Sequence, residues 1–166
     1  MATSPPAQRL VLIGHGAKND VEDALVRLGM LTGFRVVVID HHPILSRQPD
    51  ELLDDADIDL SRFEFQSSDS VVVLIHGEGD VDALWKIGRR APRYVGVLAS
   101  RTHAGGDIEE LRKRGAPEEF VESIHIPAGT DLGAMTPPEI ALSIITEIVS
   151  MKHDRQLPSK SLNRAK

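Results

Sequence analysis

Short apolar runs of strand length recur along the chain and alternate with segments whose apolar residues repeat every three or four positions. The first pattern predicts buried strands, and the second predicts amphipathic helices. We predict strands at 9–13, 35–39, 70–75, 94–99 and 123–126, with a further short one at 62–65. Because this alternation is typical of βαβ units, we predict an α/β fold: a Rossmann-like, doubly wound, mainly parallel sheet flanked by helices.

The helical segments carry recognisable end signals. Apolar positions from Val21 onward mark one face of a helix that Gly33 ends. Two more helices are predicted over 81–89 and 107–114. The motif Thr-Pro-Pro-Glu, which begins at Thr136, is a capping box with proline in the first turn, and it predicts the start of the last helix.

The length of 166 residues fits one domain, and the aromatic fraction of 4% indicates a core of aliphatic side chains. We assign residues 9–151 to a single Rossmann-like domain. Residues 1–8 are predicted to be a flexible N-terminus, and residues 152–166 a disordered basic tail.

Charge and cysteine content exclude several classes of function. The formal net charge of -6 argues against a nucleic-acid partner, because such binding depends on Lys and Arg contacts to phosphates. The chain has no cysteine, so disulfides, zinc-thiolate sites and thiol catalysis are excluded within it. The sequence shows neither a signal peptide nor an apolar stretch of the ~20 residues that a membrane span needs, so we expect a cytoplasmic protein without membrane contact.

A glycine turn follows the first predicted strand and precedes the first helix. Its residues are Gly14, His15, Gly16 and Ala17. Glycines allow backbone N–H groups to approach a phosphate, and the helix N-terminus adds partial positive charge. We therefore predict that the turn holds the phosphate end of a ligand; the alternative is an ordinary turn between strand and helix.

Asp40 ends the second predicted strand and is followed by His41. It lies close to the ~20-residue offset at which a carboxylate accepts hydrogen bonds from the ribose of a dinucleotide. This spacing favours NAD or NADP, which the sequence does not separate. The alternative is that Asp40 caps the turn that follows it.

Further polar residues follow the later strands, where ligands of open α/β sheets bind. They are His76 and Gly77, Ser100 and Arg101, and, near the last predicted strand, His125 and Asp131. A histidine can bind a ligand or transfer a proton, and an arginine can bind a phosphate or carboxylate. No metal site is predicted, and no complete set of acid, base and nucleophile is present to mark a catalytic residue.

Five blocks of sequence together resemble the C-terminal Rossmann domain of the XdhC/CoxI family. They are the strand with its glycine turn at 11–16, the strand that ends in Asp40, and the blocks at 73–77, 93–101 and 124–144. The resemblance implies a Rossmann fold. The residues that it places in family motifs are Gly14, Gly16, Asp40, His76, Ser100, Arg101, His125, Asp131 and Thr136. It also implies a maturation factor, more an accessory protein than an enzyme, for molybdenum hydroxylases such as xanthine dehydrogenase and CO dehydrogenase.

By that resemblance, the ligand is expected to be the molybdenum cofactor, as molybdopterin or its dinucleotide form. The expected partner is the large subunit of a molybdenum hydroxylase. A cysteine desulfurase, a separate cysteine-bearing XdhC N-terminal domain protein and a second copy of the chain are further partners that it suggests. An NAD(P)-binding oxidoreductase is the alternative function.

Overall fold

A twisted sheet of parallel strands organises the domain in the computed structural model, which describes residues 6–77, 79–90 and 92–163. The strands are β1 (Arg9–Ile13), β2 (Arg35–Asp40), β3 (Glu51–Asp54), β4 (Ser70–Val73) and β5 (Tyr94–Val97). The helices are α1 (Asp20–Leu31), α2 (Gly79–Gly88), α3 (Arg101–Lys113), α4 (Glu118–Ser123) and α5 (Pro137–Lys152). The strand order is β3-β2-β1-β4-β5, and every pairing is parallel. The predicted fold class is confirmed.

The strands are buried on both faces, which is why they read as continuous apolar runs. On one face, Leu10 and Leu12 pack in a cluster with residues of α1 and α5. On the other face, Val11 and Ile13 pack with residues of α2, α3 and α4. Two helical layers therefore enclose the sheet and leave its carboxyl edge available for a site.

Two of the predicted strands were wrong. The segment 62–65 is a loop whose two phenylalanines pack edge to face, whereas the third strand is Glu51–Asp54 at the edge of the sheet. An edge strand needs no apolar run, because one side of it faces solvent. The segment predicted at 123–126 forms a single bridge, Gly96 to His125, after the short helix α4.

The C-terminal segment differs from the disordered tail that the sequence predicts. Helix α5 continues to Lys152, and the chain then folds back so that Ser159 pairs with Thr130. Ser161 is buried and donates its hydroxyl to Ile124 O at 3.4 Å. Serine hydroxyls thus satisfy backbone groups of the domain, a pairing that apolar periodicity does not detect. Residues 164–166, like residues 1–5 of the predicted flexible N-terminus, lie outside the described residues.

The topology places a crevice between the carboxyl ends of β1 and β4. From β1 the chain continues to β2 on one side, while β4 adds to the other side, so the connections diverge at this point. Ligands of open α/β sheets bind outside the carboxyl ends of strands at such a switch point. Among the described residues, no helix combines the length and apolar character needed to cross a membrane.

Candidate functional site

A cleft of about 280 Å³ opens at the carboxyl ends of β1 and β4. The structure brings five of the predicted site residues to it: Gly14, His15, Ala17, Asp40 and His76. Gly16 lies at the same turn and adopts a φ of 72°, which glycine accommodates without strain. The predicted turn and the predicted histidine after β4 thus line one crevice.

Asp40 is turned into the protein beneath the glycine turn. Only 1% of its surface is exposed, and its Oδ1 accepts hydrogen bonds from the backbone N–H of Gly16 and, at 2.6 Å, of His41. A carboxylate that accepts these bonds caps the turn, which is the alternative interpretation of its place at the end of β2. The hydroxyls of a ribose would have to compete with those internal donors.

Glu22 is the second carboxyl under the turn, and it is not among the predicted site residues. It is 1% exposed. Burial, the charge of Asp40 and a hydrogen bond with Asp40 raise the pKa of Glu22 to about 8. With this pKa, Glu22 is mostly protonated at neutral pH. A Cβ at Gly14 would overlap Asp40 Oδ2 and lie 2.6 Å from Glu22 Oε1, so only glycine fits above this pair.

The start of α1 is satisfied from within the protein. Asn19 is the N-cap, and its side chain accepts from the N–H groups of Val21 at 3.0 Å and Glu22 at 3.2 Å. The first turn is acidic, and Lys18 lies 3.6 Å from Asp20. These features oppose a bound anion at the start of α1, where the glycine turn forms one wall of the cleft.

A second lobe of about 190 Å³ lies next to the first and shares His76 with it. His76 adopts a φ of 60°, an uncommon conformation for a residue other than glycine. Gly77, Ser100 and His103 complete the lobe, and Ser100 Oγ lies 3.0 Å from His103 Nδ1. Ser100 caps α3, whose first turn contains no acidic residue and begins with Arg101. The start of α3, not of α1, therefore suits an anionic group.

Two carboxyls lie at this second lobe: Asp80, which is buried and lines it, and Asp107, which is half-buried. Asp80 is 1% exposed, and burial together with the nearby charge of Asp107 raises its pKa to about 7. Burial also raises the pKa of Asp107, although His103 opposes the change. Within the described residues, Asp80 Oδ1 and Asp107 Oδ2 have no hydrogen-bond partner. A carboxyl in this state can either donate or accept a hydrogen bond near neutral pH.

His125, one of the predicted ligand-binding residues, lies apart from both lobes. It is 2% exposed, its Nδ1 is 3.0 Å from Glu147 Oε1, and its ring packs against Tyr94. Glu147 also accepts from Tyr94 Oη at 2.7 Å and from Ser159 Oγ at 2.8 Å. His125 therefore belongs to a network that joins the sheet, α5 and the C-terminal segment.

The remaining predicted residues lie around the rim. Thr136 caps α5 through the predicted capping box, and Pro137 after it lines the first lobe. Asp131 is exposed and bonds through its N–H to Pro158 O at 2.8 Å. His41 is exposed beside the end of β3, where its Nδ1 lies 2.7 Å from Asp54 Oδ1.

The comparisons with known proteins agree with this architecture. The sequence model of the XdhC Rossmann domain matches residues 10–148. The chain is 32% identical over 154 residues to YqeB of Escherichia coli (strain K12), covering 88% of this chain and 28% of that protein. It is 30% identical over 154 residues to a Bacillus subtilis (strain 168) protein named as a probable subunit of xanthine dehydrogenase, covering 89% of this chain and 44% of that protein.

Solved structures show the same relationship. A crystal structure named as a xanthine dehydrogenase from Bacillus halodurans matches with a TM-score of 0.74 and 26% identity, covering 91% of this chain and 44% of that one. The C-terminal domain of the coenzyme A biosynthesis bifunctional protein CoaBC shares the fold alone, with a TM-score of 0.55 and 14% identity over 89% of this chain and 99% of that one. The chain spans less than half the length of the two curated relatives and of the Bacillus halodurans protein.

Proposed function

Because this chain belongs to the XdhC Rossmann domain family, we propose that it assists the maturation of a molybdenum hydroxylase of the xanthine dehydrogenase type. In this proposal it holds the molybdenum cofactor as cargo, in the two-lobed cleft on either side of His76. The observation that carries the proposal is this cleft, which lies at the topological switch point of a domain whose relatives include a probable subunit of xanthine dehydrogenase.

The polar groups of the second lobe fit such a cargo. A phosphate-bearing tail suits the start of α3, where Ser100 and Arg101 follow β5 and the first turn contains no carboxylate. The unpartnered oxygen of Asp80 suits a ligand that carries N–H groups, as a pterin does. The acidic start of α1 would instead repel the phosphate, so we assign that end of the ligand to α3.

The absence of cysteine bears on the partners we propose. The large subunit of a molybdenum hydroxylase would receive the cofactor. Any sulfur transfer would need thiols from outside this chain, because it contains no cysteine. A cysteine desulfurase or a separate cysteine-bearing XdhC N-terminal domain protein would supply that chemistry, and the chain itself would act as a binding protein without catalytic residues.

The test is to identify what the protein binds after purification from cells that make the molybdenum cofactor. We expect mass spectrometry of the denatured protein to detect a pterin, and gel filtration to show a complex with the large subunit of a hydroxylase. His76→Asn should release the pterin, because it removes the imidazole while asparagine tolerates the positive φ. His153→Asn, at an exposed residue after α5, should retain it. Absence of both pterin and complex would refute the proposal.

A dinucleotide is the second ligand to test, because the glycine turn lies at the switch point. The inward orientation of Asp40 disfavours it, since the carboxylate already accepts from Gly16 and His41. Calorimetry with NAD and NADP separates the alternatives. Saturable binding of either dinucleotide would favour an oxidoreductase. If neither dinucleotide binds, the result would favour the proposal that the protein holds the molybdenum cofactor.

A further inference from the structure

Two histidines and one aspartate converge at the outer end of the sheet, on the exposed side of the glycine turn. They are His41 and His42, directly after β2, and Asp54, the last residue of β3. One ligand atom of each lies within 4.8 Å of those of the other two. No other group of three such residues meets this criterion in the part of the chain that the structure describes.

The parallel register creates this convergence. Asp54 pairs with Asp40 across β2 and β3, so the residue after Asp40 meets the end of the edge strand. His41 Nδ1 lies 2.7 Å from Asp54 Oδ1, and the His41 and His42 ring centroids are 4.2 Å apart. All three side chains are exposed, so an ion from solvent can reach them.

The backbone holds the three residues in place. The buried carboxylate of Asp40 accepts the N–H of His41 at 2.6 Å, and Arg62 donates to the carbonyl of Asp54 at 2.8 Å. His42 adopts a φ of 51°, which turns the chain sharply after His41. These contacts involve backbone atoms of the cluster, so they leave its imidazole nitrogens and carboxylate oxygens available to bind a metal ion.

We propose that His41, His42 and Asp54 form a binding site for a divalent transition-metal ion such as Zn²⁺. Two imidazoles and one carboxylate suit Zn²⁺, Ni²⁺, Co²⁺ or Cu²⁺, whereas Mg²⁺ and Ca²⁺ require mostly oxygen ligands. A bound ion would replace the direct 2.7 Å contact between His41 Nδ1 and Asp54 Oδ1. Three protein ligands leave at least one coordination position for water or another ligand, as in zinc sites of the open type.

The surroundings favour a cation. The segment that contains Asp54 also carries Asp50, Glu51, Asp55, Asp57 and Asp59, which attract a positive ion at long range. His41 also borders the glycine turn: a Cβ at Gly16 would lie 3.8 Å from the Cβ of His41. A bound ion would therefore add positive charge beside a turn whose helix begins with acidic residues. The metal site itself does not depend on the identity of the ligand in the cleft.

Calorimetry with ZnCl₂ on the tag-free protein tests the proposal. We expect one Zn²⁺ per chain at neutral pH and weaker binding below about pH 6.5, because imidazole binds metal only when it is unprotonated. His41→Gln with His42→Gln should abolish the binding. Asp54→Asn should weaken it by at least about tenfold, since even residues that only support a metal ligand commonly contribute that much.

Two control variants distinguish a specific Zn²⁺ site from non-specific binding of Zn²⁺ to any exposed histidine or carboxylate. His153→Gln removes another exposed histidine, and Asp57→Asn removes an exposed carboxylate of the same segment; both should bind Zn²⁺ as the unsubstituted protein does. Visible absorption of bound Co²⁺ should disappear in the double histidine variant. The proposal is overturned by absence of binding at 100-fold excess of Zn²⁺, or by equal affinities of the Asp54→Asn and Asp57→Asn variants.

Discussion

Replacement of Glu22 by glutamine should make the domain less sensitive to alkaline pH. Glu22 is buried under the glycine turn, and burial beside Asp40 raises its pKa to about 8. The folded state therefore keeps a proton on Glu22 that the unfolded chain releases near pH 4.5. A group with a raised pKa contributes its full stability below the unfolded value, and this contribution is lost as pH rises toward the folded value.

The size of the effect follows from the two pKa values. Each pH unit between 4.5 and about 8 removes ~1.4 kcal/mol from the free energy of unfolding, so the loss between pH 5 and pH 9 amounts to about 4 kcal/mol. That loss is a large fraction of the ~5–15 kcal/mol that stabilises a typical domain. The glutamine amide can donate to Asp40 as the protonated carboxyl does, without a titration of its own.

Urea unfolding of both proteins at pH 5, 7 and 9 measures this effect. The variant should equal the unsubstituted protein or be slightly less stable at pH 5, and it should be the more stable of the two at pH 9. Taking the difference between the proteins removes the contribution of Asp80, whose pKa is also raised, to about 7. Glu109→Gln, at an exposed position of α3, is the control and should show no such change. A difference that stays constant with pH would refute the assignment of the proton to Glu22.

Three other substitutions, one of them with a control, test the packing under the glycine turn, a buried hydrogen bond and a helix cap. Gly14→Ala should reduce the free energy of unfolding in urea by about 3 kcal/mol or more, because its Cβ overlaps the carboxyl pair, whereas Gly105→Ala, in open space on α3, should raise it by up to ~1 kcal/mol. Tyr94→Phe should cost ~1–3 kcal/mol in the same assay, since it removes a buried donor to Glu147; no loss would mean that the hydroxyl is satisfied equally well by water in the unfolded chain. Thr136→Ala should lower the melting temperature in calorimetry through the loss of ~1 kcal/mol of capping and leave cofactor binding intact, an outcome that simultaneous loss of the ligand would contradict.

The apolar pattern was sufficient to predict the centre of this domain. Strands β1, β2, β4 and β5 are buried on both faces, so their sequences differ from the surrounding helices and loops. Their order along the chain, with helices between them, was sufficient to predict a parallel sheet. The positions of Gly14 and His76 at one cleft follow from the same reasoning, because the carboxyl ends of parallel strands share an edge.

Local pattern did not predict features that depend on partners distant in sequence. Strand β3 is exposed and acidic, and it is a strand because it pairs with β2. The orientation of Asp40 depends on the backbone of Gly16 and on a carboxyl of α1. His125 follows an apolar block, as a site residue would, but the residue that decides its role is Glu147 on the last helix.

Buried acids at apolar helix positions are a signal that could have located part of the site. Glu22, Asp80 and Glu147 each occupy such a position, three or four residues from a buried aliphatic residue of the same helix. The pKa values of these three acids differ because they accept different numbers of hydrogen bonds. Burial alone would raise the pKa of Glu147, but hydrogen bonds from His125, Tyr94 and the N–H of Gly129 lower it to about 2.

No hydrogen-bond donor lowers the pKa of Glu22, and for Asp80 the backbone N–H groups of His76 and Gly77 do not outweigh burial. Burial and a neighbouring carboxylate therefore raise the pKa of each above its ordinary value. Glu147 is a compensated acid: its hydrogen-bond donors offset the cost of its burial. It connects elements of the fold and needs no ligand. An uncompensated acid costs stability unless it serves another purpose, and perturbed carboxyls of this kind concentrate at functional sites. Both uncompensated acids lie at the cleft, one beneath Gly14 and one beside His76. The distribution of donors therefore identifies the same edge of the sheet as the topology does, by an independent physical criterion.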